Sequence, residues 1–281
     1  RILTLPMIMK SGSNLAKVSG DVKQLVASSH VNWQIPAMRN PLMATAALLH
    51  DGTLIQNRKS QRSFLNLLKL IRERRELSQK IPSLLYVAAT GTGKTRILAL
   101  AVAERIQHLK SVLEDPAMRE KYEKKVILIV AEKPTQINQL ASDIGLQLAL
   151  EIPDGGYQIM QWGGARSQNM NFNQFVTKVK ANRDPVIVFT SSQSLPMRLR
   201  TWENPGNMDR LMQVTNFLGI DEAHHSHQDA YAPLLAAARE QAEADRRKRT
   251  NMPIPLMALG VTATPLHKGN RTIRDFDHAY W

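Results

Sequence analysis

Two groups of side chains, far apart in the chain, carry chemistry that fits together. Lys94 and Thr95 follow Thr90-Gly91-Thr92-Gly93. The glycines let the backbone pass close to an anion, so that consecutive N–H groups and the positive end of a following helix converge on phosphate oxygens. Lys94 adds a full positive charge at the terminal phosphates, and the Thr95 hydroxyl can complete the coordination of Mg²⁺, a hard ion shared with the nucleotide. The stretch reads as a nucleotide-binding P-loop. Ala88 stands where the first glycine of G-x-x-x-x-G-K-[ST] is usual, and its small side chain still permits close packing. Asp221 and Glu222 follow much later. Adjacent carboxylates have separable jobs: Asp221 can hold the Mg²⁺ through water, and Glu222 can orient and deprotonate the water that attacks the γ-phosphate. The bland alternatives are a glycine turn that only caps a helix and a chance acidic turn.

The elements around these residues decide between the readings. Leu84-Leu85-Tyr86-Val87 is an apolar strand run into the glycine turn, and Ile97, Leu98, Ala101, Val102, Ile106 and Leu109 recur at helical spacing after it. Phe217-Leu218-Gly219-Ile220 is a strand that delivers Asp221-Glu222-Ala223-His224 at its end. Leu256 to Val261 is another, leading to Thr262-Ala263-Thr264-Pro265, whose hydroxyls can bond His224 or the carboxylates and sense loss of the γ-phosphate. Further strands are expected at Val126–Val130, Tyr157–Trp162 and Pro185–Thr190, with helices between them, one capped by Thr135. A helix after Asn57 carries Phe64, Leu65, Leu67, Leu68 and Ile71 on one side. Gln61 at its start can donate and accept at once, as the edge of an adenine does; the other reading is an ordinary surface glutamine. Strands alternating with helices imply an α/β fold, a mostly parallel sheet covered on both faces, with ligands at the carboxyl ends of the strands.

Composition bounds the rest. The 281 residues, 43% of them apolar, suffice for a large core, and no uninterrupted apolar stretch approaches the roughly 20 residues of a membrane span. A cytoplasmic protein with no membrane partner is the expectation. There is no cysteine, which removes disulfides and iron–sulfur clusters. His224, His225 and His227 invite a metal reading, but no H-E-x-x-H pattern accompanies them. The net charge is +13, of which +9 falls within residues 1–82. A polyanion such as DNA or RNA is the natural partner for that field, a solvated basic face being the alternative. Residues 1–55 read as a small accessory segment, and residues 56–281 as one nucleotide-binding lobe. The absence of Met at position 1 suggests a fragment.

Together these residues resemble the first RecA-like lobe of superfamily 2 helicases and translocases. Ala89 to Thr95 is similar to helicase motif I, Asp221-Glu222-Ala223-His224 to a DEAH-type motif II, and Thr262-Ala263-Thr264-Pro265 to motif III. The resemblance implies ATP and Mg²⁺ as cofactors, with Thr90, Gly91, Thr92, Gly93, Lys94 and Thr95 on the nucleotide and Gln61 in the place of an adenine-reading glutamine. It implies catalytic roles for Glu222, Asp221, Lys94 and His224, and coupling roles for Thr262 and Thr264. Glu132 to Asn138 resembles motif Ia and Thr190 to Leu195 a later motif that touches nucleic-acid backbone. Lys133, Pro134, Gly163, Gly164, Thr190, Ser191 and Gln193 are the contacts expected there. The pairing of Asp221-Glu222-Ala223-His224-His225 with Leu259-Gly260-Val261-Thr262-Ala263-Thr264-Pro265 is most similar to the motor subunits of type III restriction enzymes and related DNA helicases.

The resemblance thus implies an ATP-dependent helicase or translocase acting on duplex DNA. An RNA helicase on the same fold and an ATP-gated binding or assembly module remain as alternatives. The chain stops at Trp281, soon after motif III. A second RecA-like lobe with its arginine finger is therefore expected in the full-length protein, with a nuclease or a defence or repair complex among its partners. The isolated chain is expected to hydrolyse ATP weakly, because arginines from that lobe stabilise charge in the transition state.

Overall fold

The computed structural model describes residues 59–73, 83–88, 93–163, 170–225, 231–247, 255–263, 266–267, 271–272, 276 and 278–280. The expected accessory segment 1–55 and the site residues Thr90, Gly91, Thr92, Gly164 and Thr264 lie outside them. In chain order the elements are α1 (Lys59–Glu73), β1 (Ser83–Val87), α2 (Lys94–Leu113), α3 (Pro116–Lys121), β2 (Val126–Ala131), α4 (Pro134–Glu151), β3 (Gln158–Gln161) and α5 (Phe172–Ala181). They continue with β4 (Val186–Ser191), α6 (Leu195–Leu199), α7 (Asn207–Val214), β5 (Thr215–Asp221), a 3₁₀ turn (Ala223–His225), α8 (Ala232–Arg247) and β6 (Met257–Thr262). Two-residue strands β7 (Leu266–His267) and β8 (Arg271–Thr272) pair antiparallel, and β9 is His278–Tyr280.

Among the described residues seven strands form one sheet in the order β3-β4-β2-β5-β6-β1-β9, and each neighbouring pair is parallel. Parallel strands are buried on both faces, which explains why Val126-Ile127-Leu128-Ile129-Val130 is apolar throughout rather than alternating. Its odd and even positions serve different cores. Ile127 and Ile129 join Leu84, Tyr86, Leu259 and Val261 under α1, α2 and α4. Val126, Leu128 and Val130 join Leu85, Val188, Leu218 and Ile220 under α5, α7 and α8. The sheet is thus a middle layer between two helical ones, as the alternation of elements implied. Trp162 fixes one corner of the second core by stacking on Phe175, centroids 4.3 Å apart with an angle of 4° between the rings.

Side-chain chemistry sets the starts of α5 and α4, the second differently from the sequence expectation. Asn171 Oδ1 accepts the Gln174 N–H while Gln174 Oε1 accepts the Asn171 N–H, a reciprocal cap for α5 that stabilises by about 1 kcal/mol. The expected cap at Thr135 is displaced: α4 begins at Pro134, whose fixed φ suits the first helical position, and Gln136 Oε1 reaches back to the Lys133 N–H at 2.9 Å. Thr135 therefore lies inside the first turn.

Candidate nucleotide site and the adjoining carboxyl edge

In a parallel sheet every strand ends on the same edge, so β1 and β5, separated only by β6, deliver their final residues side by side. β1 stays in register beyond its end, with the Ala88 N–H donating to Thr262 O at 3.0 Å. The chain re-enters the described structure at Gly93, which precedes α2 with φ +86°, a left-handed conformation that glycine adopts without strain. Among the described residues no side-chain hydrogen bond caps this helix start. The first helical bond there runs from Ile97 N to Gly93 O, and the amides ahead of it belong to a helix end of the kind that receives anions.

Lys94 opens α2, and its Nζ lies 3.6 Å from Glu222 Oε1. The sequence separates these residues widely; the topology brings them together. Glu222 has φ +52°, one of two described non-glycine residues in the left-handed region, and this turn aims its side chain along the edge. Its other oxygen is 3.3 Å from His224 Nδ1, which is also 3.0 Å from Thr262 Oγ1. The expected contact between the Thr262 hydroxyl and His224 is therefore present. Asp221, at the last position of β5, has its carboxyl pushed up to about 6, first by burial and then by the negative charge of Glu222, with Lys94 acting in the opposite direction. A crowded pair of carboxylates beside one lysine is a donor set that a hard divalent cation would satisfy.

Gln61 is 2% exposed, which corrects the reading of it as an ordinary surface glutamine. Its Nε2 donates to Gly93 O at 3.4 Å, and a Cβ placed on Gly93 would stand 2.8 Å from that nitrogen. The start of α1 is thus packed directly on the head of α2.

The other half of the edge, at the ends of β3, β4 and β2, is rich in hydroxyls. Ser191 Oγ donates to Ser194 Oγ at 2.8 Å and accepts the Ser194 N–H at 3.1 Å, while Ser194 Oγ donates to Gly163 O. Ser192 Oγ donates to Glu132 O at 3.0 Å, joining the end of β4 to that of β2. Among the expected nucleic-acid contacts, Thr190, Ser191 and Gly163 are buried, Pro134 is half-buried, and Lys133 and Gln193 are exposed. Buried members hold the surface in shape; the exposed pair presents it.

Two residues of this edge escaped the sequence reading. Tyr231, just ahead of α8, is fully buried, its hydroxyl faces Ser192, and burial pushes its phenol up. Trp202 is displayed from the turn before α7. Neither belongs to a periodic pattern; an aromatic residue in a polar stretch is the only signal each offers.

Comparison with known proteins adds two findings. Residues 54–267 match the ResIII family, described as the res subunit of type III restriction enzymes. Among solved structures the UvsW helicase from bacteriophage T4 aligns with a TM-score of 0.44 and 17% identity over 80% of this chain, which spans 60% of that one. No curated protein matches significantly.

Proposed function

Because the chain belongs to the ResIII family and carries the RecA-like lobe of a superfamily 2 helicase, we propose that it is the nucleotide-binding motor lobe of an ATP-dependent duplex DNA translocase or helicase. The observation that carries this reading is the meeting of Lys94, at the head of the helix that follows β1, with Glu222, just after β5, 3.6 Å apart. In the proposed complex the head of α2 and Lys94 hold the phosphates of ATP. Thr95 and Asp221 hold Mg²⁺, which supplies charge neutralisation at the phosphates. Glu222 orients the attacking water and takes its proton. His224 and Thr262, bonded to each other beside Glu222, would relay the state of that carboxylate to β6.

Nucleic acid would cross the opposite half of the carboxyl edge, past Lys133 and Gln193, leaving the nucleotide to β1, β5 and β6. The positive net charge supports a polyanionic track. A second lobe in the full-length protein would close over the nucleotide and complete catalysis.

ATP turnover by the full-length protein, measured without nucleic acid and with single-stranded DNA, duplex DNA or RNA, tests the reading. Stimulation by duplex DNA that disappears in Lys94→Ala is expected. Stimulation by RNA alone would transfer the lobe to RNA remodelling, and binding without turnover under every condition would make it an ATP-gated module. Glu222→Gln should keep nucleotide binding and abolish turnover, because the amide cannot accept the proton of the attacking water. Turnover in that variant would contradict the assigned base.

A further inference from the structure

The segment that leaves β4 displays two large apolar side chains. Trp202 is 64% exposed and Met197 68%, and among the described residues Leu70 alone joins them as an exposed large hydrophobic side chain. Their segment is well fixed. Arg200 closes α6 in the left-handed conformation with φ +49°, and Thr201 N–H and Arg200 N–H donate back to Pro196 O and Met197 O, each at 3.3 Å. Glu203 N–H and Asn204 N–H donate to Arg200 O at 3.0 and 2.9 Å, and Asn207 Nδ2 donates to Leu199 O at 2.7 Å. An indole carried on so tightly bonded a turn is presented with little ordering left to lose on contact.

The chemistry on offer is narrow. The indole Nε1–H is already given to Glu203 Oε1 at 3.3 Å, and the other Glu203 oxygen takes Arg200 Nη1 at 3.3 Å. The polar edge of Trp202 and the charge of Arg200 are thereby engaged, and the indole's π surface is what remains. The turn lies between the carboxyl end of β4, two residues before Gln193, and α7, which returns the chain to the opposite edge where β5 begins.

We infer that Trp202 is a stacking platform for an unpaired nucleobase. This rests on the proposal that nucleic acid crosses the ends of β3, β4 and β2. A π face without a free donor cannot read a base edge but accepts any base, and the net charge of +13, of which +9 lies within residues 1–82, draws to the chain the polyanion that carries bases. Paired bases are already stacked inside a duplex, so the platform requires a single-stranded stretch. It narrows the substrate from plain duplex to DNA with an unpaired segment.

The test uses full-length protein and single-stranded DNA bearing one 2-aminopurine, whose fluorescence falls when it stacks. Trp202→Ala should weaken that DNA about five- to a hundredfold and remove the quench. Trp202→Phe, which keeps a ring and loses the N–H, should recover much of both. Affinity for blunt duplex and for nucleotide should not move. The slope of affinity against salt should also stay as in the wild type, since no phosphate contact is lost. Unchanged single-strand affinity in Trp202→Ala would overturn the inference and leave the patch to a protein partner. Equal losses on duplex and single strand would overturn it as well. A wild type that binds no nucleic acid would sink the functional proposal along with it, whereas a wild type that binds while Trp202→Ala matches it sinks this inference alone.

Discussion

Asp221 holds its proton more tightly in the folded chain than an unfolded aspartate would, because burial and Glu222 both oppose its ionisation. Between about pH 4 and pH 6 the folded state keeps a proton that the unfolded state has lost, so stability falls as pH rises through that window. Above it the cost is fully present. Asp221→Asn removes the charge, and without nucleotide it should be more stable than the parent at pH 8 by roughly 1–3 kcal/mol, the gap narrowing towards pH 4. Denaturant unfolding at the two pH values checks this; a gap independent of pH would remove the titration from the account. Gly93→Ala should destabilise by about 1–2 kcal/mol from its left-handed φ alone and also push Gln61 from its seat, both visible by thermal unfolding and a structure of the variant.

At the scale of elements, the edge opposite the proposed active site is tied by buried charge. Asp245, near the end of α8, accepts from Lys124 Nζ, from Gln241 Nε2 at 2.8 Å and from the Leu256 N–H at 3.0 Å. Arg105 of α2 bonds Asn216 Oδ1, Asn216 O and Pro255 O, and Asn216 Nδ2 donates to the Tyr122 hydroxyl at 2.7 Å. Asp245→Ala would strand a buried lysine and should cost about 3–5 kcal/mol in urea unfolding, whereas replacing Lys124 and Asp245 together by Met and Leu should cost much less. Near-equal costs for the single and double variants would show that the pair itself is not the source. None of this was legible in the sequence, since a lone Arg in an apolar helix and an Asp in a polar one look like solvated residues. The long elements were legible because their apolar spacing is sustained, and motif residues were legible because glycines and carboxylates sat at strand ends. Short α3, α6, α7 and β9 offer too few turns or residues for a period to emerge. Gln61 looked like a surface residue because only tertiary packing lays α1 on the head of α2.

For the whole molecule, the order of strands in space departs from their order in the chain. β1 lies between β6 and β9, so Ser83 pairs with Ala258 on one side and Leu84 with His278 on the other. A chain ended at Pro255 keeps the glycine turn, Lys94, Asp221 and Glu222 but leaves β1 without either neighbour. It should bind no ATP analogue and lose cooperative unfolding, as calorimetry would register; tight nucleotide binding by that truncated chain would refute the dependence. Contacts of such long range also form late and slowly. On a ribosome, β1 must wait outside the tunnel exit until β6 and β9, its partners on either side, have been translated. The lobe therefore spends nearly all of its own synthesis unable to hold a nucleotide.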